Sequence, residues 1–186
     1  AQVLSNLGVN AKDAEDWESS LRHFEKALKL DPNFTEAHNN LGITLQELER
    51  LDEAETSYRQ AIILKPDYAE AYSNLGSTLQ KMGKLEEAEA SYRQAIALKS
   101  DFAEAHGNLG NTLKELGRLG EAEAIYRQAI ALKPDFVEAH SNLGNTLKEL
   151  EKLGEAEASY RQAIRLKPDF AEAHCNLGIT LRELVR

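Results

Sequence analysis

Cysteine is nearly absent from this chain of 186 residues: Cys175 stands alone, so no internal disulfide can form, which fits a reducing, cytoplasmic compartment. Aromatic residues make up only 6%, with a single Trp and a single Met. Four prolines and eleven glycines are too few and too regularly placed for low-complexity disorder. No apolar run approaches the ~18 residues a membrane-spanning helix needs, and no signal-like segment opens the chain, so no membrane insertion is expected. Cations are also short. Twenty-two Lys and Arg face 31 Asp and Glu, a net charge of −9, which argues against nucleic acid as a partner because such surfaces need clustered Lys and Arg.

What the chain does contain is a period. Asn108–Leu116 reads NLGNTLKEL, and Asn142–Leu150, 34 residues later, reads the same. A fixed period of this size marks an architecture in which each repeat buries its apolar face on its neighbours, without one central core. Counted from Ala1, the repeats are 1–34, 35–68, 69–102, 103–136 and 137–170, followed by a partial repeat at 171–186, all within a single domain. The chain starts without Met and stops partway through a repeat, and it reads as a piece of a longer protein.

Each repeat carries two helical stripes. Ala37, Leu41, Gly42, Leu45 and Leu48 mark the first in the second repeat; Leu51, Ala54, Tyr58, Ala61 and Ile62 mark the second. Gly83 and Gly117 stand at repeat position 15 between them, where a helix C-cap favours positive φ; Glu15, Glu49 and Glu151 at the same place imply that a left-handed turn is not compulsory. Pro32, Pro66, Pro134 and Pro168 end the second helices, with Ser100 as the exception. Asp67 with Glu70, and its equivalents Asp101/Glu104, Asp135/Glu138 and Asp169/Glu172, predict a capping box at the start of the next helix. Glu55/Arg59, Glu89/Arg93, Glu123/Arg127 and Glu157/Arg161 are i,i+4 pairs expected to solubilise an outer surface. Small residues at positions 8, 20 and 27 let paired helices approach, and Tyr or Phe at position 24 is expected to fill the gap between repeats.

His106, Leu109-Gly110, Leu113, Ala122, Tyr126, Ala129 and Pro134 together resemble the tetratricopeptide repeat family. The departures are mild: Leu4, His38, His106, His140 and His174 stand where Trp or Tyr is usual, with Tyr72 conforming. Leu replaces the usual Tyr at position 11 in five of six copies, with Ala11 in the first. The resemblance implies an all-α, right-handed superhelix of five helix-turn-helix repeats plus one extra helix, with the first helices lining the concave face. It also implies a protein-binding scaffold rather than an enzyme.

The polar stripe of the first helices holds the candidate site. Position 6 is asparagine in every copy: Asn6, Asn40, Asn74, Asn108, Asn142 and Asn176. Asparagine costs helix propensity relative to Ala, and its donors and acceptor suit pairing with a peptide backbone. The stripe is similar to the asparagine ladder in the tetratricopeptide region of O-linked N-acetylglucosamine transferases, which implies a track for an extended peptide. The other reading is that each Asn bonds a neighbouring repeat and fixes the twist. Asn111 and Asn145 at position 9 widen the polar floor, and Lys114 and Lys148 at position 12 are placed to meet acidic groups. The glutamates at position 2 are explained by the capping box. The Lys/Asn carboxylate clamp of the chaperone-binding adaptors is absent.

Once-per-repeat His38, His106, His140 and His174 sit on different layers about 8–10 Å apart, too far for one metal ion, so no metal and no cofactor are expected. No nucleophile-plus-base arrangement or phosphate-binding glycine loop stands out. Two further readings are carried: head-to-tail self-association through Leu177, Leu181 and Leu184 of the partial repeat against the Trp17 and Phe24 end, and service as the substrate-recruiting arm of a larger enzyme such as a glycosyltransferase.

Overall fold

The computed structural model describes residues 1–185, and among them eleven α-helices and no strand. They are α1 (Gln2–Asp13), α2 (Trp17–Leu30), α3 (Thr35–Glu47), α4 (Leu51–Leu64), α5 (Ala69–Lys81), α6 (Leu85–Leu98), α7 (Ala103–Glu115), α8 (Leu119–Leu132), α9 (Val137–Glu149), α10 (Leu153–Leu166) and α11 (Ala171–Leu184). Each expected repeat is therefore one helix-turn-helix pair. The partial repeat is α11 followed by Val185, while its final residue, Arg186, lies outside the described residues. Contacts gather the chain into two compact blocks, Ala1–Lys99 and the residues from Ser100 on.

The pair is built on one close approach. A Cβ added to Gly110 would lie 2.6 Å from the Tyr126 ring, and one on Gly42 or Gly144 equally close to Tyr58 or Tyr160. These rings are essentially fully buried, as are Phe24 and the alanines at positions 20 and 27 such as Ala122 and Ala129. The ring at position 24 was expected between repeats; its close contact is instead the glycine of its own repeat. Glycine at position 8 and alanine at position 20 remove the side chains that would hold the two helices apart, and the ring fills that hollow.

The turn at position 15 is left-handed in all five copies. Gly83 and Gly117 have φ of 74° and 73°, and Glu15, Glu49 and Glu151 have 58°, 59° and 61°. The expectation that glutamate would relax the turn fails for a specific reason. The connection is closed by the same two backbone bonds with either residue: Gly117 N to Lys114 O and Arg118 N to Leu113 O in one repeat, Glu151 N to Lys148 O and Lys152 N to Leu147 O in the next. Glutamate is held in a conformation that costs an L-residue about 1–2 kcal/mol.

The capping box does not form. The N-cap residues of α5, α7, α9 and α11 are Tyr68, Phe102, Phe136 and Phe170, one residue beyond the aspartates, and none makes a side-chain cap bond. In α3 the N-cap is Phe34, again without one. Packing explains the shift. The Phe136 ring lies where a Cβ on Gly107 would approach to 2.9 Å, so seating the aromatic decides where the helix begins. The position-2 glutamates meet other partners instead: Lys99 Nζ reaches Glu70 at 3.4 Å and Lys133 Nζ reaches Glu104 at 2.8 Å. The histidines, for their part, tie each first helix to the linker before it: His38, His140 and His174 place Nε2 at 2.9 Å from the carbonyls of Pro32, Pro134 and Pro168.

The outer ion pairs form, but they do more than coat a surface. Arg59 and Arg127 bond Glu55 and Glu123 at 2.8 and 3.0 Å within their own helices. Each also crosses to the next repeat, Arg59 to Glu87 at 2.9 Å and Arg127 to Glu155 at 2.6 Å. Lys84 and Lys152 cross back to Glu55 and Glu123 at 2.8 Å, and these two glutamates are only 15% and 14% exposed. The lysine bonds, followed by those of the arginines, pull both carboxyls below the usual range.

Candidate functional site

The first helices present the asparagine row, and a buried threonine row anchors it from beneath. Thr44, Thr78, Thr112, Thr146 and Thr180 at position 10 are fully buried. Each donates its hydroxyl to the carbonyl of the position-6 asparagine one turn earlier, at 2.8–3.2 Å from Asn40, Asn74, Asn108, Asn142 and Asn176. Thr44 also meets the Ser20 hydroxyl at 3.0 Å, and Thr78 shares its one proton between the Asn74 carbonyl and the closer Gln46 Oε1 at 2.7 Å. Sequence reasoning passed over these threonines, although their recurrence in five of six copies was visible.

The asparagine side chains are half-buried, apart from exposed Asn6, which accepts from Gln2 Nε2 at 3.1 Å. Several make lateral bonds. Asn74 Nδ2 donates to Asn39 Oδ1 of the repeat before at 3.1 Å. Asn142 Nδ2 donates to Asn111 Oδ1, and Asn176 Nδ2 to Asn145 Oδ1, each at 2.9 Å. Asn111 and Asn145, expected simply to widen a polar floor, therefore have their oxygens engaged from the adjacent repeat. Position 5 lies below the surface: Ser5, Asn39, Ser73 and Ser141 are buried, whereas Cys175 in α11 is exposed.

Charge on this face is mixed. Lys114 Nζ pairs with Glu149 Oε1 at 3.3 Å, and half-buried Lys148 shares the row with it. Asn145 Nδ2 reaches Glu172 at 3.3 Å. Clefts of about 480 and 390 Å³ open elsewhere, between consecutive second helices, at Arg59, Ile62 and Ile63 in one block and at Arg127, Ile130 and Ala131 in the other. Among the described residues no group of three His, Cys, Asp or Glu side chains is placed to hold a metal ion, and no helix is long and apolar enough to cross a membrane.

The sequence matches a tetratricopeptide repeat model over residues 33–101 and 67–135, another of the same description over 125–158, and a TPR repeat model over 12–49 and 144–184. Among solved structures, the chain is similar to MamA at 27% identity and a TM-score of 0.81, over 89% of this chain and 97% of that one. It is similar to TTC0263, a thermophilic TPR protein of Thermus thermophilus, at 26% identity and 0.73, over 97% and 98%. YrrB, described as a TPR protein with an unusual peptide-binding site, shares the fold at 24% identity and 0.75, over 91% and 88%. None of the curated proteins matches the sequence.

Proposed function

The chain belongs to the tetratricopeptide repeat family, and on that footing we propose that this protein-interaction scaffold holds an extended peptide segment along its ladder of asparagines. The observation that carries the reading is how little of each amide the lateral bonds use. Asn74, Asn142 and Asn176 each spend one N–H on a neighbouring repeat. An amide offers two donors and two lone pairs, so an N–H and the oxygen are left for a ligand. That pair is what a peptide group needs, and it stands in the same arrangement in α5, α9 and α11. The lateral bond also holds the side chain in place, which lowers the entropy lost on binding. The two sequence readings of the ladder, ligand track and repeat-to-repeat tie, thus describe two ends of one side chain. Similarity to the asparagine ladder of the glycosyltransferases belongs to this proposal, as does a role as the recruiting arm of such an enzyme.

The test is the triple substitution Asn74→Ala, Asn108→Ala and Asn142→Ala, with peptide capture from a random display library and helical circular dichroism as readouts. Capture is lost and the helical signal kept if the ladder binds ligand. Unchanged capture with a lower melting point makes the ladder purely structural. A second reading, head-to-tail self-association, keeps exposed Leu181 and Leu184 in α11 but changes its mate. Phe24 is fully buried against Gly8 and Trp17 and Leu177 are half-buried, so exposed Val3 and Leu7 in α1 take their place. Light scattering over a concentration series decides it, and a strict monomer at high concentration rules it out.

A further inference from the structure

The position-9 amides of α7 and α9 have a set orientation, held jointly by the tyrosine of the second helix and the asparagine of the next repeat. Asn111 Oδ1 accepts from the Tyr126 hydroxyl at 2.6 Å as well as from Asn142. Asn145 Oδ1 accepts from the Tyr160 hydroxyl at 2.8 Å as well as from Asn176. Turning either amide over would bring its NH2 against the NH2 of the next repeat. A tyrosine hydroxyl by itself would tolerate both orientations, since it donates and accepts. Glu172 removes the ambiguity for Asn145, because a carboxylate only accepts and it faces Nδ2. The tyrosines cannot swing away: both rings are fully buried and wedged against Gly110 and Gly144. Burial also pushes the Tyr160 phenol up to about 12, so it remains a donor at any physiological pH.

We propose that Tyr126 and Tyr160 are positioning residues for the peptide face: they turn Asn111 and Asn145 so that this row offers N–H groups only, which selects acceptor atoms, the carbonyl oxygens of an extended backbone. The inference rests on the peptide-binding reading and adds a direction to it. With both oxygens turned inward, a ligand strand must point carbonyls, not amide hydrogens, at this row. The chain itself shows that the hydroxyl is dispensable for packing. In the first repeat Phe24 fills the same buried place against Gly8, and the position-9 residue there is Val9, with no amide to orient.

The experiment takes the tightest binder from a random 12-residue display library, synthesises it with capped ends, and repeats it with a thioamide, a poorer acceptor, at each position in turn. Wild type is compared with the Tyr126→Phe/Tyr160→Phe and Asn111→Ala/Asn145→Ala doubles. Wild type should lose affinity with a thioamide at one or two positions. The Tyr→Phe double should bind about tenfold more weakly, the order set by one or two neutral hydrogen bonds, with its thioamide sensitivity gone and its helical signal unchanged. If Asn→Ala abolishes binding while Tyr→Phe keeps full affinity and the same thioamide sensitivity, the peptide face stands and the positioning role is overturned. If no peptide is captured by wild type, or Asn→Ala leaves binding untouched, the peptide face itself falls and this inference with it.

Discussion

The ring of Tyr126 stands so close to Gly110 that a single added methyl carbon would lie 2.6 Å from its Cε1 atom. Nothing at that contact can yield, because the ring is fully buried. Gly110→Ala should therefore destabilise the protein by about 1–3 kcal/mol, as overpacking of a tight core does. Gly178 is at the same repeat position in α11, yet a Cβ there meets nothing within 4 Å. Gly178→Ala should be neutral or stabilising by up to ~1 kcal/mol, the helix-propensity gain. Denaturant midpoints of the two variants check the contrast, and equal losses would dismiss the ring contact as its cause.

Glu49 and Glu151 hold φ near 60° in turns where Gly83 and Gly117 do the same without strain. Glu49→Gly and Glu151→Gly should each stabilise the chain by roughly 0.5–1 kcal/mol, the left-handed penalty removed less the glycine's greater chain entropy. Gly117→Ala should lose a similar amount. Chemical denaturation measures both, and a loss in the Glu→Gly variants would contradict the strain argument.

The cross-repeat ion pairs make stability depend on acid. Glu55 and Glu123 are held below the ordinary carboxyl value of 4.5, chiefly by Lys84 and Lys152. The unfolded chain then binds protons first as pH falls, so the contribution is full above that ordinary value and is lost as pH drops through the depressed folded one. Melting temperatures followed from pH 7 to pH 3 should show a decline that is shallower in Glu55→Gln/Glu123→Gln. A decline of unchanged steepness would assign the acid sensitivity to other groups.

His140 closes a bond of 2.9 Å from Nε2 to the Pro134 carbonyl. His140→Ala should cost about 1 kcal/mol for that bond, plus the packing of the ring, and lower the denaturant midpoint. His106, whose repeat follows Ser100 rather than Pro, bonds the Phe102 carbonyl through Nδ1 at 3.0 Å instead. Its imidazole resonances should show the opposite ring nitrogen engaged, and nitrogen-detected NMR reads that directly. The same nitrogen engaged in both would refute the difference between the two linkers.

By itself the sequence determined the period, the eleven helices and the two faces of each, because spacing at 3.6 residues per turn and regular Pro and Gly are local signals that need no partner to be read. The asparagine row was legible for the same reason, being a strict repeat on one helix face. Tertiary structure alone decided which helix start, which turn and which amide orientation that pattern would take. Phe136 took the N-cap place from the aspartate, with its half-buried ring lying against Gly107. Glu151 took the glycine conformation, closing its three-residue connection with the same two backbone bonds as Gly117. Asn111 turned its oxygen inward because Tyr126, fifteen residues later and on another helix, and the Asn142 amide of the next repeat both meet it there. Such pairings depend on where two separately formed helices meet, and a one-dimensional pattern carries that distance only through the packing that creates it.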